Sequence, residues 1–225
     1  MDRLQAFADP DIVAGYVEAT PRKVPGFADL HRMAMLLLAA RVPERAGILV
    51  VGAGGGLELK AFAEAQPDWR FVGVDPSAGM LDLARQVLGP LQARVDLCRG
   101  YVDAAPQGPF DGATCLLTLH FLARDERLHT LREIRRRLKP GAPLVVAHHS
   151  YPGGSDPSAW LERSAAFAGG PGVDFAQARA SGAKMAEFLP LLSTDEDEAV
   201  LREAGFSDVA LFYAAFSFRG WISRA

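Results

Sequence analysis

Gly52-Ala53-Gly54-Gly55-Gly56 follows the apolar run Ile48 to Val51, and Asp75 closes a second apolar run, Phe71 to Val74. Glycines at a strand-to-helix turn let the backbone come close to a ligand. The start of the helix then offers N–H groups and a dipole to a small anionic group. An acidic residue about 20 positions further on, at the tip of the next strand, is placed to accept hydrogen bonds from a ribose diol. The pair predicts a ligand with an adenosine-like end and a small anionic end, laid across two strand tips. Asp75 followed by Pro76-Ser77 also suits an N-cap for the next helix, and the two roles are compatible.

Three histidines, His120, His148 and His149, fall near predicted strand tips and are the candidate general bases. Histidine at one strand tip is also a common structural hydrogen-bonding group, so each stands beside that alternative. Cys98 and Cys115 lie in apolar runs with no disulfide framework and no metal-binding spacing; they read as small buried hydrophobes in a reducing compartment, and no metal is expected. The patterns G-x-x-x-x-G-K-[ST], H-E-x-x-H and G-x-S-x-G are absent. A dinucleotide fingerprint needs a small residue at position 57, where this chain has Leu57, so nicotinamide is disfavoured.

The elements that must position these groups follow from periodicity. Residues 2–40 read as helical, with breaks at Asp9-Pro10 and from Thr20-Pro21 through Pro25-Gly26. From residue 47 the pattern alternates: strand 47–52, helix 56–65, strand 70–75, helix 77–88, strands 93–98 and 111–118, helix 124–138, strand 142–149. Strands separated by helices of about a dozen residues predict an α/β fold, a mostly parallel sheet with helices on both faces. Gly/Pro/Ser-rich SYPGGSDPS and AGGPGVD flank helix-like stretches near 157–168 and 174–189, so 150–192 reads as a helical insertion. Thr194 to Asp197 caps a helix ending at Ala204, with Gly205 as its stop. Ser207–Tyr213 and Ala214–Ile222 read as a terminal hairpin that adds an antiparallel strand.

The 225 residues suit one domain, 1–225, with 1–40 as a helical cap and 150–192 lying over the active site. A formal net charge of −3 argues against a nucleic-acid partner. The arginines around 132–137 read as a solvated helix end. The start MDRLQAFADPD lacks the pattern of a signal peptide, and the run Met33 to Ala40 is too short to span a bilayer. A cytoplasmic protein without membrane contact is expected.

In order, the segments VVGAGGG, VGVDPSAGMLDLAR, PFDGATCLLTLHFL, LREIRRRLKPGAPLVVAHHS and LREAGF resemble class I S-adenosylmethionine-dependent methyltransferases over nearly the full chain. The resemblance implies a Rossmann-like seven-stranded sheet with an antiparallel last strand, S-adenosylmethionine as cofactor and a small-molecule methyl acceptor. KVPGF, CLLTLHFL and LFYAAFSFRGWIS look like the carboxy-S-adenosylmethionine synthase branch. That branch holds an extra carboxylate with an insertion Arg; the aligned position here falls near Gly182, with Arg179 and Lys184 nearby. Ordinary S-adenosylmethionine is therefore favoured, with carboxy-group chemistry or a non-catalytic adenosyl-binding module as alternatives.

On this resemblance Gly52, Ala53 and Gly54 hold the methionine end, Asp75 with Pro76 the ribose, and Met80 the adenine face, while Tyr101, Val102 and Leu116 complete the cofactor site. Residues 116–120 flank the sulfonium. Two departures stand out: Val50 occupies a position where many relatives carry an acid, and Tyr101 follows Gly100 where many carry Asp. Tyr101 is read as stacking or hydrogen-bonding in its place, with Asp103 as an alternative reach. Tyr16, Phe27 and Tyr151 are read as lining an acceptor pocket, and Trp160 as a staple between insertion and core. The apolar C-terminal strands and the resemblance together suggest a homodimer.

Overall fold

The computed structural model describes residues 9–225; the part of the expected N-terminal helix before residue 9 lies outside them. The elements are α1 (Pro10–Lys23), α2 (Phe27–Ala39), β1 (Gly47–Val51), α3 (Leu57–Ala65), β2 (Arg70–Asp75), α4 (Ala78–Leu88), β3 (Val95–Arg99), β4 (Gly112–Leu116) and α5 (Arg124–Arg137). There follow β5 (Pro143–His149), α6 (Pro157–Gly169), α7 (Phe175–Phe188), α8 (Thr194–Glu203), β6 (Ser207–Ala215) and β7 (Phe218–Arg224). The strands form one sheet in the order β3-β2-β1-β4-β5-β7-β6. β3, β2, β1, β4 and β5 are mutually parallel, and β7 runs antiparallel to both β5 and β6.

Side chains alternate across this sheet and divide the core in two. Ile48 and Val50 of β1 pack with α2 and α3 through Leu38, Leu59 and Phe62. Leu49 and Val51 face the opposite layer, which holds Leu131 and Ile134 of α5, Val200 and Leu201 of α8, and Trp221. Covering both faces forces consecutive apolar residues in the central strands, which is why ILVV and PLVVAHH show no polar alternation.

The chain leaves β1 toward β2 and β3 on one side, then returns to β4 on the other. That reversal opens a crevice at the carboxyl ends of β1, β2 and β4, where ligands bind in such sheets.

Three boundaries differ from expectation. α1 continues through Pro21, which falls in its last turn and so removes only a terminal hydrogen bond; the chain leaves the helix at Val24, ahead of Pro25, where extended backbone is favoured. α8 is capped by Ser193, whose backbone N–H and hydroxyl both donate to Glu196. The hairpin turns at Phe216-Ser217, beyond the expected Tyr213–Ala214 junction, because Phe216 adopts a positive φ of 50° there. None of the described helices is long and apolar enough to cross a membrane.

Candidate active site

A cavity of about 960 Å³, counting its open mouth, lies in the crevice at the strand tips. Its floor is the turn after β1. Gly52 sits at φ 77°, and a Cβ there would fall 2.0 Å from Thr118 Oγ1, so only glycine lets the tips of β1 and β4 approach. Gly56, at φ 79°, starts α3 against the backbone of Ala84, and a Cβ there would fall 2.9 Å from that residue's Cα. The N–H groups of Gly52 and Ala53 both donate to Val74 O at 2.9 Å, tying the turn to β2.

Asp75 closes β2 beside this turn. Its Oδ2 accepts from Gly54 N–H and its Oδ1 from Ser77 N–H, each at 2.9 Å. The carboxyl therefore orders the turn and the start of the next helix together, while Ser77 supplies the N-cap by accepting from Met80 N–H at 3.2 Å. Burial raises Asp75 above its ordinary value, opposed by those two backbone donors. Gly100, Tyr101 and Val102 form the wall beyond β3, with Tyr101 52% exposed. Asp103 turns away to His129 at 3.2 Å.

The tip of β4 supplies Leu116, Leu117 and Thr118. Leu117 takes a positive φ of 57°, a strained state for a leucine, held by its N–H donating to Ala147 O at 2.5 Å. The roof comes from the N-terminal helices: Tyr16 of α1, Phe27 and His31 of α2. The Tyr16 ring lies against Gly54 and Gly55, and burial beside Asp75 pushes its phenol up to about 12. His31 is buried against Phe27, ring centroids 4.3 Å apart, and burial pushes its imidazole down to about 4.

Glu58, in the first turn of α3, forms part of the inner wall and is 6% exposed. Thr114 of β4 donates its hydroxyl to Glu58 Oε1. Burial pushes this carboxyl up to about 8 against that hydrogen bond.

Residues 48–141, which carry most of this wall, match the family model described as a methyltransferase domain. A carboxy-S-adenosyl-L-methionine synthase of Chromohalobacter salexigens is 26% identical over 231 residues, covering 99% of this chain and 85% of that protein. A trans-aconitate 2-methyltransferase of Azoarcus sp. is 34% identical over 122 residues, 53% of this chain and 46% of that one. Among solved structures, PigF with SAH superposes at a TM-score of 0.68 with 20% identity; 99% of this chain is covered, and it spans 61% of PigF. Residues 48–141 carry a methyltransferase domain of the S-adenosylmethionine-dependent kind.

In this methyltransferase the residues read from sequence as cofactor-binding, Gly52, Ala53, Gly54, Asp75, Pro76, Met80, Tyr101, Val102 and Leu116, all line the one cavity, and so do Tyr16 and Phe27. The three candidate bases do not. His120 packs on Phe121 and His149, with centroids 4.1 and 4.8 Å apart. His149 bonds through Nδ1 to Ser217 Oγ at 2.7 Å, and that oxygen lies 2.6 Å from Ser164 Oγ. His148 lies 3.1 Å from Asp197 and stacks near Trp221. All three point into packed layers, where burial lowers each imidazole below its ordinary value.

Tyr151 is also outside the cavity wall; it pairs with Ser193, and its carbonyl accepts from Thr194 N–H at 2.8 Å. No residue of 150–192 lines the cavity. Instead α6 and α7 pack on each other where a Cβ at Gly182 would meet Glu162 N at 2.6 Å, and Trp160 is clasped between Arg163 and Arg219. Arg179 is 77% exposed and pairs with Glu162 at 3.6 Å, and Lys184 is likewise exposed.

Glu58 and His31 were not singled out from sequence. Their signal was a polar residue on an apolar helical face: Glu58 precedes Phe62 by four positions, and His31 precedes Ala34 and Leu38 by three and seven.

Proposed function

We propose that this methyltransferase carries the methyl group of S-adenosylmethionine to a small, uncharged acceptor seated under α1 and α2. The observation that carries the reading is one cavity that joins the glycine turn, Asp75 and the tip of β4 to an aromatic roof. The residues fit the cofactor: the bare turn leaves room for an amino-acid tail, and Asp75 stands ready beside it for a diol. S-Adenosylmethionine supplies an electrophilic methyl on a sulfonium, already a good leaving group.

The protein's part is placement. Gly52 and Gly54 fix the tail, Asp75 with Ser77 fixes the sugar, and Met80 and Val102 pack the base. Leu116, Leu117 and Thr118 then flank the sulfonium, and Tyr16, Phe27 and Phe121 hold the acceptor in line and keep water out. In-line positioning alone reaches effective molarities of about 10⁵ M or more. Where the acceptor must lose a proton, His31 is the imidazole in the wall; its depressed basicity suits an acidic donor or a neutral nucleophile needing no base. His120, His148 and His149 then serve as scaffold.

Likeness to a carboxy-S-adenosylmethionine synthase raises a second reading, an added carboxylate on the cofactor. The wall favours the ordinary cofactor, since it contains the acids Glu58 and Asp75, and the neighbouring basic residues Arg179 and Lys184 face outward. Mass spectrometry of ligand co-purifying with the protein separates the two by mass.

Titration calorimetry with S-adenosylmethionine and S-adenosylhomocysteine tests the proposal. Binding of both is expected, with Asp75→Asn weakening each by about 10- to 100-fold through loss of charge-assisted hydrogen bonds. No heat with either ligand at millimolar concentration would end it.

A further inference from the structure

A buried acid inside a ligand cavity needs a partner, and among the described residues Glu58 has none beyond a hydroxyl. Its Oε1 accepts from Thr114, which lies on β4 in register with Val50 of β1. The carboxyl is thus held at the level of Val50, two residues before the glycine turn, and at the root of α3, whose start the turn forms.

The groups that share its surroundings cannot neutralise it. Asp75 is itself an acid, and Tyr16, whose phenol feels the Glu58 charge, keeps its proton to about 12. Cys115 lies behind it, its thiol pushed up by burial and by Glu58. His31, across the cavity, is neutral near pH 7 because burial pushes it to about 4. Among the described residues no lysine or arginine lines the cavity or pairs with Glu58. Left so, the carboxyl holds its proton up to about pH 8. A group that is neutral alone and anionic beside a cation marks a place built for a cation.

We propose that Glu58 is the anchor for the α-ammonium of the cofactor, releasing its proton to solvent as the ligand enters and pairing as carboxylate with the ammonium. The inference rests on the cofactor occupying this cavity as proposed above. The ammonium is chosen over the sulfonium for two reasons. Glu58 adjoins the turn that takes the amino-acid tail, whereas the sulfonium belongs at the tip of β4; and a carboxylate bonds a donor N–H strongly, while a sulfonium has none to give. The proton balance closes on the carboxyl: an α-ammonium is already protonated at pH 7, so the only proton lost is that of Glu58.

Calorimetry of the intact protein at pH 7, repeated in phosphate and in Tris, counts protons released per ligand bound. Close to one proton is expected with S-adenosylmethionine and with S-adenosylhomocysteine. None is expected with 5′-methylthioadenosine, which keeps the nucleoside and its contact with Asp75 but lacks the ammonium. Glu58→Gln, which preserves shape and the Thr114 contact, should weaken the first two ligands about 10- to 100-fold and abolish proton release, leaving methylthioadenosine affinity unchanged. Release with S-adenosylmethionine alone would overturn the assignment in favour of the sulfonium. Tight binding of the first two ligands without release, or full affinity in Glu58→Gln, would overturn it outright while leaving the cofactor site standing. Failure of all three ligands to bind would end both readings; and should Glu58→Gln not fold, the wild-type proton count still decides.

Discussion

Asp197 and Glu58 are both buried acids, and the protein treats them in opposite ways. Asp197, on α8 beneath one face of the sheet, is paired with the buried Arg127 guanidinium and lies 3.1 Å from His148. Arg127 in turn donates to Pro190 O at 3.2 Å and Leu122 O at 3.5 Å, so the pair knits α5, α8 and the end of the insertion together. Glu58, beneath the other face, meets a threonine hydroxyl and an open cavity. Where the complement of a buried charge is part of the chain, the charge serves the fold. Where it is missing, the site is completed from outside.

The sharpest way to break this contrast is Arg127→Ala. Removing the guanidinium strands Asp197 in the interior and orphans two carbonyls, at an expected cost of about 3–5 kcal/mol. Urea unfolding should show that loss, while S-adenosylmethionine affinity of the folded fraction stays within about twofold of wild type. A stability change near zero, or a large change in affinity, would dissolve the distinction between the two acids.

Glu58 should behave in the reverse sense. Its carboxyl rises from an ordinary 4.5 to about 8 on folding, so between those values the native state holds a proton that the unfolded chain has released. Stability therefore falls as pH rises through that window, by about 2–4 kcal/mol at its upper end. Above pH 6.5, where the buried imidazoles no longer contribute a slope, thermal melts up to pH 8 should show the decline in wild type, a flatter curve in Glu58→Gln, and a stabilisation by S-adenosylmethionine that grows with pH. A wild-type curve level between pH 6.5 and 8 would contradict the raised carboxyl.

Much of the fold could be read from the chain because its signals are local. Apolar runs separated by amphipathic stretches specify parallel strands and crossover helices, and the five parallel strands appear where that pattern puts them. The glycine turn and Asp75 were legible for the same reason: turn chemistry is written in consecutive residues. What escaped was depth. Sequence places His120, His148 and His149 near strand ends, but whether a side chain there faces a crevice or a packed layer depends on neighbours far away in the chain. For these three the neighbours are His149, Asp197 and Ser217. Glu58 and His31 were hidden the opposite way, inside apolar helical faces that look like core. Within the insertion, Gly182 is needed for α6 and α7 to pack closely, a contact with no local signature.

His31 and His149 carry the comparison to smaller effects. Burial lowers His31 to about 4 and His149 to about 3, so below pH 6.5 the unfolded chain takes up protons that these rings refuse in the native state. Stability is then lost as pH falls from 6.5, by about 1–2 kcal/mol per imidazole at pH 5. Replacing either ring with glutamine should flatten this acid limb by a similar amount. Only His31 touches the cavity, however; His149 stacks on Phe218 at 4.0 Å and bonds to Ser217. His31→Gln should therefore also change the occupancy of the space under the roof, read as altered acceptor KM or methyl-transfer rate, whereas His149→Gln should leave both unchanged once the protein is folded. Equal kinetic effects from the two would mean that the cavity wall and the packed layer behind it do not divide catalytic from structural histidines, and that the base must be sought again at the tips of β4 and β5.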